Sequence, residues 1–142
     1  MNKDMFIKRI TEKLNNEVFQ VYNQIKILDN SLSKLYPIAV VDHQVFYVFD
    51  FDELLQKYVF VLENQLPGIS MPEHILASFP LEFYGGKPAA IITEHALSST
   101  SELINVFHEF VHCHQYEFYE MDLRKNLEIA MINKKSDNFM WK

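Results

Sequence analysis

A single cysteine, Cys113, in 142 residues excludes an internal disulfide, and such usage fits a reducing compartment, so a cytoplasmic setting is expected. Basic residues are also scarce: 13 Lys and Arg stand against 19 Asp and Glu, a net charge of -6. That balance argues against nucleic-acid binding, because neutralising a phosphate backbone needs a basic patch that this sequence lacks. No apolar run approaches the roughly 20 residues of a membrane span. The amino terminus has no charged start followed by an apolar stretch and a cleavage pattern. Neither a membrane partner nor a signal peptide is therefore expected. What remains is ordinary globular usage, 49% hydrophobic and 23% charged, in a length that suits one domain over residues 1–142. The tail Phe139-Met140-Trp141-Lys142 ends on aromatics without a cap or polar run, which is expected of a domain truncated at its carboxy end.

The periodicity divides the chain into helical ends and a β-rich middle. From Lys3 to Lys34 apolar residues recur at helical spacing, at Ile7, Ile10, Leu14, Val18, Val21, Ile25, Leu28 and Leu32, which predicts a long helix whose stripe faces a core. Pro37 ends it, since the residue before a proline is biased away from helix. Ile38 to Val41 and Val45 to Phe49 read as strands about the turn Asp42-His43-Gln44. Asp52 is placed to cap a helix carrying Leu54, Leu55, Tyr58 and Leu62, although Tyr58 to Leu62 reads equally as a strand. Pro67-Gly68 breaks the chain, and Pro72 suits the first turn of a short helix through Ala77. Leu81 to Tyr84 and Ala89 to Thr93 flank Gly85-Gly86 and predict a hairpin.

The last third carries the chemistry. Ser99-Thr100-Ser101-Glu102 reads as a capping box, and no Pro or Gly follows, which predicts a helix from about Thr100 to about Met121. At 100° per residue Leu103, Phe107, Phe110, Val111, Phe118 and Met121 share one arc, the expected core face. Ile104, His108, His112, Gln115 and Tyr119 form another stripe. His108 and His112 are four residues apart and about 40° apart on it, so both imidazoles can grip one metal ion. Zinc takes neutral imidazole readily and, in catalytic sites, three protein ligands. Glu109 beside the first histidine is placed to take a proton from a water that the metal activates. His114 falls in the apolar arc and is expected to be a core histidine held by a hydrogen bond; Cys113 is expected to be structural. His95, at a strand end, is expected to be solvated.

The run His108-Glu109-Phe110-Val111-His112 on a capped helix, with uncharged neighbours from Val106 to Cys113, resembles the active-site helix of the zincin metallopeptidases. Two flanks depart from the usual pattern: Asn105 stands where a small β-branched residue is common, and His114 where an apolar one is expected. No Gly and third His follow at metzincin spacing, so the resemblance is to the gluzincin branch. It implies an α+β fold of zincin type: a long amino-terminal helix, a small and mainly antiparallel sheet, the active-site helix, and a second helix after it. It implies Zn2+ held by His108, His112 and a glutamate of that second helix, for which Glu128 is the candidate, reached through a short connection around Asp122 to Lys125. Asp122 and Asp137 are weaker candidates. The implied activity is hydrolysis of a peptide or protein substrate, with Glu109 as general base. Tyr119, on the metal stripe, is the candidate second donor to the oxyanion. Zincins add an extended peptide to a strand edge near the active-site helix, and Ala89 to Thr93 resembles that strand. The alternatives are a zincin-like module that binds or regulates without cleaving, and a helical structural domain in which the motif is accidental.

Overall fold

The computed structural model describes residues 2–28, 34–65 and 74–136. Strands β1 (Ile38–Asp42), β2 (Val45–Asp52), β3 (Lys57–Gln65), β4 (Leu76–Leu81) and β5 (Lys87–Ile92) form one sheet in the order β3-β2-β1-β5-β4. Every neighbouring pair is antiparallel except β1 with β5, which run parallel. The class is α+β with a mostly antiparallel sheet. Among the described residues, no helix is long and apolar enough to cross a membrane.

Helical backbone runs unbroken from α1 (Lys3–Lys13) through a π-helical turn (Leu14–Val18) into α2 (Phe19–Leu28). The side chains buried on it are Phe6, Ile10, Leu14, Val18 and Tyr22, each four residues after the last. In a regular α-helix a step of four drifts about 40°, so five such residues would wind away from the sheet. The wider π turn takes up that drift. It also presents Asn15 to the edge strand β3. Asn15 Oδ1 accepts the Tyr58 N–H at 2.7 Å and Asn15 Nδ2 donates to the Tyr58 carbonyl at 3.1 Å. One side-chain amide thus satisfies both backbone groups of a residue on an edge that, among the described residues, has no further strand. A second tie runs from α1 to the 3-10 turn Glu94–Leu97: Arg9 Nε and Nη2 donate to Glu94 Oε2 and Oε1, and Lys13 Nζ to Oε2, all at 2.7 Å.

α3 (Thr100–Ser136) packs beside α1 and α2 on the same face of the sheet. Ile38, Val40, Tyr47, Phe49, Ala90 and Ile92 point to these helices, while Ala39, Val41, Phe46, Val48, Ala89 and Ile91 point the other way into a smaller cluster with Leu81. Because both faces are covered, β1 and β5 read as continuous apolar runs instead of alternating.

Four expected elements differ. The strand expected at Leu81 to Tyr84 is only the end of β4 followed by a 3-10 turn (Glu82–Tyr84), so the hairpin with β5 is made by Leu76–Leu81. Asp52 does cap, its Oδ1 accepting from Leu54 and Leu55 N–H, but the turn does not propagate into a helix: the chain enters β3 at Lys57 and leaves Leu54 96% exposed. The short helix through Ala77 is replaced by β4, where Leu76 and Ala77 pair with Ile92 and Ile91. The second helix expected after the motif helix is not formed, because α3 continues to Ser136; no Pro or Gly interrupts it. Leu32 and the Pro67-Gly68 and Pro72 positions lie outside the described residues, as does Asp137.

Candidate metal centre

α3 opens where Ser99 Oγ accepts the Glu102 N–H at 3.3 Å. The reciprocal half of the capping box is not made: Glu102 Oε2 accepts from Asn105 Nδ2 at 3.4 Å, and Oε1 faces His95. Leu103, Val106, Phe107, Phe110 and Cys113 bury the helix against the sheet. That arc is rotated from the expected one, and Val111 and Phe118, expected in the core, are 39% and 54% exposed. Apolar residues on this helix span two overlapping arcs that share Leu103, Phe107 and Phe110. Periodicity alone does not say which arc meets the sheet.

The rotation turns His108 and His112 away from the core, with His108 exposed and His112 half-buried. Their Nε2 atoms stand 3.0 Å apart, with the rings at 90°. Two nitrogens on one tetrahedral zinc, each at about 2.0–2.1 Å, are separated by about 3.3 Å. The pair is within a few tenths of an ångström of that spacing. His112 Nδ1 lies 3.0 Å from Gln115 Oε1. An amide oxygen only accepts, so Nδ1 carries the proton and Nε2 presents a lone pair. Gln115, one turn after His112, thereby favours the tautomer whose Nε2 either accepts from His108 Nε2–H, the hydrogen bond formed at 3.0 Å, or binds a metal ion.

Glu109 lies at the rim of the core and is 8% exposed. Its carboxylate makes no hydrogen bond or ion pair among the described residues, and neither oxygen is sealed from solvent. Cys113, one turn further on, is fully buried. Burial pushes its thiol up to about 12, helped by the negative charges of Glu109 and Glu117. It is a packing residue and not a thiolate ligand. His114 is half-buried with Nδ1 3.3 Å from the Tyr36 hydroxyl, a side chain bonded at the core margin.

Beside the histidines the surface opens into a cavity of about 490 Å³ bordered by His112, Gln115 and Tyr116 of α3 and Ser78 of β4. That volume is in the range of ligand sites. β4 pairs only with β5, so its other edge is open among the described residues. The strand expected to supply that edge, Ala89 to Thr93, instead forms β5 between β1 and β4. Neither Ser78 nor Tyr116 carries a sequence signal for this role. Sheet order places the first, and Tyr116 becomes visible only once the helix face is known.

Glu128 is carried by the same helix as the histidines. On one unbroken helix its backbone lies sixteen residues past His112, about 24 Å along the axis. The side chains of Glu128, Tyr119 and Asp122 lie outside the described residues. No group of three or more His, Cys, Asp or Glu side chains placed to hold a metal ion occurs among the described residues. Two ligands fit a zinc ion there and a third is not supplied by them. No family model matches the chain, and neither curated proteins nor solved structures gave a match.

Proposed function

We propose that this chain is a zinc-dependent hydrolase acting on a peptide or protein, on the zincin pattern, with His108 and His112 as ligands and Glu109 as general base. The observation that carries the reading is the pairing of the two Nε2 atoms at 3.0 Å on the helix face that borders the cleft. Zinc held there would polarise a substrate carbonyl and lower the pKa of a water. Glu109, one residue from His108, takes the proton from the attacking water. An extended peptide laid along β4 would pair with that strand's open edge and place a carbonyl over the histidines.

A second reading, a zincin-like module that binds without cleaving, is favoured by one observation, the lack of a third ligand among the described residues. Glu109→Gln separates the two. In a hydrolase it keeps zinc content and thermal stability and lowers cleavage of a peptide-library substrate by at least about 10²-fold. His112→Ala instead loses the zinc of this histidine pair, together with the stabilisation that this zinc gives the native state. Full activity of Glu109→Gln would remove Glu109 from the chemistry. Stoichiometric zinc without cleavage of any peptide would leave the binding module.

A further inference from the structure

A second cluster of imidazole and carboxylate groups shares no residue with His108 and His112. His74 precedes β4, His95 belongs to the 3-10 turn after β5, and Glu102 lies in the first turn of α3. The three border a cavity of about 150 Å³ floored by Ile75, Leu76 and Thr93. The two rings lie 4.3 Å apart, centroid to centroid, tilted by 36°. His95 Nε2 stands 3.8 Å from Glu102 Oε1. That is too long for a hydrogen bond. It is, however, the separation of two donors sharing one ion, which at about 2.1 Å from a metal stand about 3.4 Å apart at the tetrahedral angle and about 3.8 Å apart at 130°. Asn105 holds the other oxygen of Glu102, an outer contact of the kind that orients a ligating carboxylate.

The three side chains do not converge on one point as they stand. Convergence needs His74 to turn. That side chain is exposed on a turn, and among the described residues no hydrogen bond ties its ring, or that of His95, to the protein. Turning it is a change between staggered rotamers, a small cost beside two metal–nitrogen bonds. Two neutral imidazoles and one carboxylate are a borderline N/O donor set of the sort that selects zinc over calcium or magnesium.

We propose that His74, His95 and Glu102 form a second divalent transition-metal site that closes on its ion and fastens the start of the edge strand β4 to the first turn of α3. It differs from the proposed catalytic centre in residues and in role, since it fixes the frame at one end of the crease between β4 and α3 while His112 and Ser78 border the cavity further along.

Zinc itself is the probe, titrated into the full chain by calorimetry. In a His112→Ala background, which removes the first pair, the expected result is one zinc per chain. Adding His95→Ala, or separately Glu102→Gln, should weaken that binding at least tenfold, with circular dichroism unchanged because both side chains are partly exposed. Ring-proton resonances of His74 and His95 should shift together with zinc while those of His43 stay put. If His112→Ala binds no zinc, if its zinc is indifferent to His95→Ala and Glu102→Gln, or if either change weakens it less than tenfold, the site does not exist. Failure of the catalytic reading is separate: it would appear as a wild type whose zinc content His112→Ala leaves unchanged.

Discussion

Asn15 adds a polar tie to the apolar contact between the amino-terminal helices and the sheet, because its amide replaces a strand partner at Tyr58. Asn15→Leu should therefore cost about 1–3 kcal/mol in urea unfolding, the range for leaving buried backbone groups without partners. An opposite effect is expected at the β1–β2 turn. His43 and Gln44 both have positive φ, 49° and 64°, in a two-residue hairpin that favours Asn-Gly. Gln44→Gly should raise stability by about 0.5–1 kcal/mol by relieving that backbone strain, and a change in urea midpoint at constant slope would show it. The legibility of the site was also decided residue by residue. His108, Glu109 and His112 are readable because four-residue spacing on a helix is fixed by covalent geometry. Gln115 falls on the same stripe for the same reason. Ser78 and His74 are not readable, since nothing local in a strand or turn says which helix it will lie against.

At the scale of elements, the contact between α1 and the turn after β5 rests on one carboxylate with two cations. The Arg9 guanidinium, and then Lys13, hold the Glu94 carboxyl below its ordinary value of 4.5 despite partial burial. A depressed folded pKa means that the contribution is whole above the unfolded value and is lost as pH falls through the folded one. Glu94→Gln should thus lower stability by about 1 kcal/mol at pH 7, the scale of a partly exposed pair, and the difference from wild type should begin to shrink as pH falls below 4.5 and be lost once Glu94 is protonated in the folded state. A gap that does not shrink on acidification would assign the loss to packing. Strands β1, β2 and β5 were legible because β-branched and aromatic runs bounded by turn residues have few other uses. β3 was masked by a true capping signal at Asp52 that stops after one turn, and β4 by Pro72, which suits a helix start. The length of α3 was misjudged in the other direction. A helix ends where something ends it, and between Thr100 and Ser136 the sequence offers no Pro or Gly.

For the molecule as a whole, two buried phenols and a partly buried one tie stability to alkaline pH. Tyr58 is fully buried and donates to the Tyr36 carbonyl at 2.8 Å, and burial raises its pKa well above 10.0. Tyr36 is raised likewise by burial, and Tyr84 to about 12 by burial and by its bond to Asp50. An acid whose folded pKa exceeds the unfolded one gives stability that is whole below the unfolded value and declines as pH rises through the folded value. These residues sit in different places: Tyr58 and Tyr36 under the helices, Tyr84 on the opposite face of the sheet with the smaller cluster. Ionisation should therefore be coupled to global unfolding and not to a local opening. The expectation is that phenolate absorbance of these three tyrosines rises in one cooperative step above pH 10, coincident with loss of helical circular dichroism. Tyr58→Phe lowers stability at pH 7 by about 1 kcal/mol, leaving the Tyr36 carbonyl without its donor. It also removes one phenol from the step, so its pH-dependence above 10 should be shallower than that of the wild type. Phenolate appearing while the helical signal is intact would mean that water reaches Tyr58 in the native state, and the core drawn between α3, the amino-terminal helices and the sheet would be more open than the packing of Tyr58 requires.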